Sequence, residues 1–330
     1  EMIISIYEVP LGTQGNLFGI TGGEGTGKSN YVGSLIAGAI RKADITIDTL
    51  GTTVNADGGN KAVLLYDTEQ SETQLYKNIS NILRRSKQDK IPDYFKAYYL
   101  TSMSRKERLQ AIIQSMDKFY YQYGGIQMVI IDVYSLFFRF SGMVIIDGIA
   151  DLIRCANDEA ESVGIIDELY RLAGIYKTCI VCVLHFIPNG MKLRGHLGSE
   201  LQRKAAAILS IEKDEDPNIS VIKALKVRDG SPLDVPLIQF AWSKEKSMHT
   251  YIGEKTKEEK EKRKENELIA VARSIFNRQR HYTYADLCEQ IQMVLDVKER
   301  TAKSYIKFMR DKEIVMKDPS NVSYFIIGHI

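Results

Sequence analysis

Between Asn16 and Trp242, apolar runs of strand length alternate with segments whose apolar residues recur every three to four positions. That alternation restricts the chain to an α/β architecture. Strands joined through helices lie parallel and bury both faces beneath those helices. The expected strands are Leu17–Thr21, Ala62–Asp67, Phe95–Leu100, Met128–Asp132 or Met143–Asp147, Cys179–His185, Ala207–Glu212, Ile219–Lys226 and Leu237–Ala241. The expected helices between them are Lys28–Lys42, Thr73–Arg85, Arg105–Tyr121 and Glu159–Tyr176. The later strands follow one another through short connections, which predicts an antiparallel continuation at one edge of the sheet.

The first of these strands runs directly into Gly22-Gly23-Glu24-Gly25-Thr26-Gly27-Lys28-Ser29, and a helix follows. This is the spacing of a Walker A phosphate-binding loop, with the strand and helix it requires on either side. Glycines let backbone N–H groups converge on phosphate oxygens, and the helix N-terminus adds partial positive charge. The sequence therefore predicts ATP and Mg²⁺ as ligands, held by Gly22, Gly23, Glu24, Gly25, Thr26, Gly27, Lys28, Ser29 and Asn30. Lys28 would reach the β- and γ-phosphates and Ser29 would ligate the metal.

Three further positions complete the expected chemistry. Glu69, just beyond the strand that ends Leu65-Tyr66-Asp67, could polarise the water that attacks the γ-phosphate. The bland alternative is an acid at a helix start, favoured by the dipole. A metal-holding Asp should close a strand of four apolar residues, and two segments qualify: Met128-Val-Ile-Ile-Asp132 and Met143-Val-Ile-Ile-Asp147. They read as a tandem duplication in which only one copy can occupy the central strand. Asp147 is favoured, because one helix then suffices before the next strand; Asp132 is the alternative. His185 ends its strand at the carboxyl edge, where ligands bind in such sheets, and could sense the γ-phosphate.

Composition limits what else the chain can do. A formal net charge of +2 over 330 residues supplies no global basic field, so any DNA binding must come from local patches. No apolar run approaches the roughly 20 residues of a membrane helix, and no signal-peptide pattern opens the chain, so the expected setting is cytoplasmic. Of the cysteines Cys155, Cys179, Cys182 and Cys288, the C-x-x-C pair lies within an apolar strand. Residues three apart on a strand face opposite ways, so this pair is expected to be structural and reduced rather than a metal site.

Domain boundaries follow from charge. Residues 1–250 form the expected α/β domain, 251–265 (with the tract KTKEEKEKRK) a solvated linker or helix start, and 266–330 a small second domain. In the latter, Leu268–Phe276, Tyr284–Met293 and Lys298–Met309 are amphipathic, and Asp296 with Glu299 fits a capping box for the third segment. A hairpin of Ile314–Lys317 and Ser323–Ile327 follows, and three helices plus a hairpin make a winged helix-turn-helix. The exposed face of the third helix would offer Lys298, Arg300, Lys303 and Lys307 to DNA, although many winged helices bind protein instead.

Gly22–Ser29, Asp67-Thr-Glu69, Val144-Ile-Ile-Asp147-Gly148, Leu184-His185 and Leu193-Arg194-Gly195-His196-Leu197-Gly198-Ser199-Glu200-Leu201 together resemble the hexameric RecA-like ATPases. The likeness covers roughly 15–245 and is nearest to DnaB-type and RepA-type replicative helicases, in particular RepA-like ATPases of bacterial mobile elements. It implies a mobile loop over Pro188–Gly198 facing single-stranded DNA, with Lys192, Arg194 and His196 as phosphate contacts. It also implies that Lys226 and Arg228 enter the neighbouring subunit's ATP site in a homo-oligomer, expected to be a hexamer. The implied function is a ring-forming DNA motor or helicase for replication or mobilisation. The alternatives are a non-unwinding regulatory ATPase that loads or recruits another machine and, third, a filament-forming recombinase.

Overall fold

The computed structural model describes residues 1–57, 61–68, 70–132, 152–153, 158–185, 195–233, 235–255 and 257–328; of His185, Arg263 and residues 257–260 only the backbone is described. The chain divides into two compact units, one of Glu1–Asp229 with Leu237–Gly253 and one of Gly230–Pro236 with Glu254–Ile330.

The first unit opens with β1 (Met2–Ile6) and β2 (Val9–Thr13), which pair with the short β4 (Thr53–Val54) in an antiparallel sheet. The larger sheet uses β3 (Asn16–Gly22), β5 (Ala62–Asp67), β6 (Phe95–Tyr99), β7 (Ile126–Asp132), β8 (Cys179–His185), β9 (Ala207–Lys213), β10 (Ile219–Val227), β11 (Ile238–Ser243) and β12 (Met248–Glu254). Its order is β12-β11-β10-β9-β3-β8-β7-β5-β6. From β6 to β9 all neighbours are parallel, whereas β10 is antiparallel to both β9 and β11. The expected antiparallel edge is thus present.

Helices α1 (Lys28–Ile40), α2 (Glu72–Ser86), α3 (Arg105–Gln122), α4 (Glu159–Ile175) and α5 (Gly195–Lys204) cover this sheet. Local signals set their ends. Ser71 accepts from Gln74 N at the start of α2, Glu107 accepts from Ser104 N at the start of α3, and Asp158 accepts from Glu161 N at the start of α4. The sheet side chains alternate between two cores. Leu64, Tyr66, Val129, Ile131, Ile180 and Cys182 join Met116 of α3, Leu169 of α4 and Leu201 of α5 in one cluster. The intervening Val63, Leu65, Ile130 and Val181 are buried on the opposite face, where α1 packs against β3, β5 and β7.

The two copies of the duplicated segment are now distinguishable. Met128–Asp132 forms β7, between β5 and β8, so the first copy fills the place in the sheet for which the second had been favoured. The economical crossover was a weak guide, because a sheet can tolerate a long excursion between strands. Met143–Asp147 lies outside the described residues.

The second unit contains α6 (Lys257–Phe276), β13 (Tyr282–Thr283), α7 (Tyr284–Leu295), α8 (Glu299–Asp311), β14 (Val315–Lys317) and β15 (Tyr324–Ile327). Its sheet runs β13-β15-β14, antiparallel, one strand more than the expected hairpin. Leu268, Ile275, Leu287, Ile291, Tyr305, Ile306 and Phe325 build its core. Of the two readings of the charged tract, linker or helix start, the structure gives the second: from Lys257 it forms the first part of α6. Lys312 pairs with Glu261 at 2.8 Å, and the Lys264 ammonium lies 5.1 Å from the ring centres of both Tyr305 and Phe308. A tract too charged to build a core can still coat one. The capping box is also corrected. Asp296 takes the left-handed conformation (φ 51°) that closes α7, and Lys298 is the residue before α8. Aspartate tolerates that conformation better than most residues, so the same side chain serves as a helix stop.

Candidate functional site at the carboxyl edge of the sheet

From β3 the chain leaves through α1 towards β5, passing β8 and β7; from β8 it leaves through α5 in the other direction, to β9 beyond β3. The connections therefore diverge at the carboxyl ends of β3 and β8, which is where open α/β sheets form their ligand crevice. Gly22 and His185 are register partners at that edge.

The loop from Gly22 to Lys28 is built so that only glycine fits at its two ends. A Cβ on Gly22 would stand 2.3 Å from the Ile211 carbonyl oxygen of β9. Gly27 has φ +99°, and its Cβ would stand 3.0 Å from the Phe240 ring. Gly25 also has positive φ (+68°), but nothing lies within 4 Å of a Cβ there. Thr26 Oγ1 donates to Gly23 O at 2.9 Å, tightening the turn. Lys28 is only 3% exposed, and its Nζ donates to Gly22 O at 2.7 Å and Gly23 O at 2.8 Å. The ammonium is thus folded back over its own loop, at the first turn of α1. Ser29 and Asn30 are half-buried beside it, and Glu24 is exposed. One residue before the loop, the buried Thr21 Oγ1 has no hydrogen-bond partner among the described residues.

Further along the same edge lie two buried carboxylates. Asp67 and Asp132 are register partners at the ends of β5 and β7, and Asp67 Oδ1 accepts from Gln70 N at 2.8 Å. Only β8 separates β7 from the strand that carries the glycine loop. Glu69, Asp147, Lys192 and Arg194 lie outside the described residues, as does the side chain of His185. His196 is the exposed second residue of α5, so the last four residues of the expected mobile loop, Gly195 to Gly198, are helical instead; Pro188 to Arg194 lie outside the described residues.

Lys226 and Arg228 are not at this edge. Val227 pairs with Ala207 and Ala207 with Phe18, four residues back along β3 from Gly22. At about 3.3 Å per residue this places them roughly 13 Å down the sheet from their own glycine loop. Lys226 Nζ donates to Gln202 O at 2.6 Å, and Arg228 donates to Lys204 O at 3.0 Å. Together they satisfy carbonyls at the C-terminus of α5 that the helix itself leaves without donors.

A groove next to α1 escaped the sequence reading. Ser29, Asn30 and Gly33 line it on one side, and Asn78, Arg84, Trp242 and Met248 on others. Beneath it, Arg85 donates to Asp48 O at 2.8 Å and His249 O at 2.7 Å. Burial draws the Arg85 guanidinium below its usual range, with Asp48 opposing and Arg84 reinforcing the shift. Burial likewise lowers the His249 imidazole, helped by Lys213 and Arg85. The exposed single tryptophan, Trp242, was the available signal.

In the second unit, Lys298, Arg300, Lys303 and Lys307 are all exposed, while Ala302, Tyr305, Ile306 and Met309 of α8 are buried. Lys303 is paired with Glu299 at 2.7 Å. Among the described residues no helix is long and apolar enough to cross a membrane, and no group of three or more His, Cys, Asp or Glu could hold a metal ion. The chain matches no protein-family model, and a search of curated proteins likewise finds no match.

Proposed function

We propose that this chain is a RecA-like P-loop ATPase working as a ring-forming DNA motor, with a winged-helix unit at its C-terminus. One observation carries the reading: a glycine loop with a buried, inward-folded Lys28 stands at the point where the sheet's connections diverge. The residues fit Mg-ATP. The loop is closed against side chains at Gly22 and Gly27 but open at Gly25, the cradle that converging N–H groups need.

In this mechanism Lys28 would exchange its loop carbonyls for phosphate oxygens, and Ser29 and Asp132 would hold Mg²⁺. Once bound, the metal would supply charge that neutralises the phosphates. Glu69 would orient the attacking water. Lys226 and Arg228, out of reach of their own loop, stabilise the transferring phosphoryl group of a neighbouring copy. Lys192, Arg194 and His196 contact single-stranded DNA phosphates, and the exposed cations of α8 contact duplex DNA. A non-unwinding regulatory ATPase is the second reading, favoured by that basic α8 face.

The deciding experiment measures ATP hydrolysis and strand displacement on a forked DNA substrate, for the wild type and Lys28→Ala. A motor displaces the strand, and Lys28→Ala loses both activities. Hydrolysis without displacement selects the regulatory reading. Normal turnover by folded Lys28→Ala would sink the P-loop assignment.

A further inference from the structure

Strand β9 ends beside the glycine loop. Gly22 pairs with Ile211, so Glu212 and Lys213 continue along the edge past the point where the loop leaves β3. Ile208 belongs to the cluster with α3 to α5, and side chains alternate along a strand, so Lys213 points to the opposite face. That is the face on which α1 packs, with Gly27 of the loop as its N-cap. Ser220 of β10 is the register partner of Lys213, and Phe240 of β11 is that of Ser220. This row lies under the last glycine of the loop: a Cβ on Gly27 would stand 3.0 Å from the Phe240 ring and 3.2 Å from Ser220 Oγ. Lys213 Nζ donates to the same Ser220 Oγ at 3.4 Å. Its ammonium is therefore one hydroxyl away from the loop.

The acids around Lys213 are engaged elsewhere. Glu212 accepts from Ser210 Oγ at 2.6 Å on the other face, and Asp214 accepts from Gln239 Nε2 at 2.7 Å. Lys213 itself is exposed and makes no ion pair among the described residues. Its charge still reaches across this face: burial first, and Lys213 next, lower the His249 imidazole. A lysine ammonium is a mobile point charge suited to phosphate. Resting on the nucleotide reading of the loop given above, we propose that Lys213 is a second phosphate-binding lysine, acting within its own subunit. Asp67 and Asp132 end strands on one side of β3, and Lys213 stands on the other. The carboxylate side is where the γ-phosphate reacts, so Lys213 meets the phosphate charge that ATP and ADP share. It therefore strengthens nucleotide binding more than it speeds the chemical step.

Lys213→Met tests this with little disturbance, because the side chain is exposed and methionine keeps most of its stem. Binding of fluorescent ADP is measured at low and high salt for the wild type, Lys213→Met, Lys213→Gln, Lys213→Arg and Lys28→Ala. Steady-state ATP hydrolysis and thermal melting are followed alongside. Lys213→Met and Lys213→Gln should weaken ADP about tenfold, the scale of one hydrogen bond to a charged group. KM for ATP should rise by a similar factor while kcat falls far less. Lys213→Arg should recover most of the affinity, because the guanidinium keeps the charge. The difference from wild type should shrink at high salt, as it does for charges near the surface. ADP affinity within about twofold of wild type in folded Lys213→Met overturns this inference alone and leaves the loop its role. So does a loss that appears in kcat with KM unmoved, or one that Lys213→Arg does not repair. A Lys28→Ala protein that binds ADP and hydrolyses ATP normally overturns the nucleotide reading of the loop, and this inference with it.

Discussion

Placing alanine at Gly22, and separately at Gly25, separates what the fold requires of the loop from what a ligand requires. In Gly22→Ala the new methyl meets the Ile211 carbonyl at 2.3 Å and Thr26 Oγ1 at 3.0 Å. The carbonyl cannot easily withdraw, because β9 is paired with β3 on one side and β10 on the other. Overpacking of this kind costs about 1–3 kcal/mol, and the φ of +155° adds backbone strain of about 1–3 kcal/mol. Gly25→Ala has only the left-handed backbone to accommodate, about 1–2 kcal/mol, because its methyl meets no protein atom within 4 Å. Urea unfolding of both variants, with fluorescent-ATP binding on the same samples, provides the comparison. Gly22→Ala should be clearly the less stable. Gly25→Ala should stay folded yet bind nucleotide more weakly, since the space its methyl enters is space a phosphate would use. Equal stabilities would refute the steric account, and undiminished binding by Gly25→Ala would refute the orientation of the cradle.

Asp132→Asn should impair Mg²⁺-dependent hydrolysis more than Asp147→Asn, because β7 ends at Asp132 with only β8 between it and β3; the reverse ranking would return the metal role to the second copy. Arg228→Ala should bind ATP and fail to hydrolyse it, and co-expression with Glu69→Gln should restore part of the activity at interfaces pairing an intact Glu69 with an intact Arg228. Zero recovery in verified mixed oligomers would count against action in trans. Burial pushes the Cys179 thiol up to about 12 and raises Cys182 further, so both stay protonated at pH 8, whereas an ordinary thiol begins to ionise. Neither should react with thiol reagents until the protein unfolds, and rapid modification of the native protein would contradict this.

Strands that are buried on both faces were legible as continuous apolar runs, and the predicted ends of β5 and β8 coincide with the observed ones. The C-x-x-C reading can be compared atom by atom: Cys182 packs in the cluster with α3 to α5, whereas Cys179 Sγ lies 2.8 Å from where a Gly12 Cβ would stand. The helix α5 and the strands β1, β2, β4, β12 and β13 were missed. They are short or partly exposed, and β4 and β13 depend on partners distant in sequence, β1 and β15. The same limit hid why Gly22 and Gly27 are glycines, since Ile211 and Phe240, some two hundred residues later, fill the space. Charge left α6 open between a linker and a helix start, because it could not show that Glu261 and Lys264 would lie against Lys312, Tyr305 and Phe308. Contiguity misled at Gly230–Pro236, because nothing in a seven-residue segment announces that it belongs to another unit.

The position of β9 has a consequence for the chain as it is made. β3 leaves the ribosome well before its two neighbours, β8 and β9, which emerge more than 150 residues later. Until then β3 has two unpaired edges, and the glycine loop lacks the Ile211 wall that shapes it. Pairing at this sequence separation folds slowly, and open apolar strand edges invite association with other chains. Nascent chains stopped before Ala207 should therefore be chaperone-dependent and unable to retain nucleotide. Those extended past Val227, once clear of the exit tunnel, should acquire protease resistance across β3 in a single step.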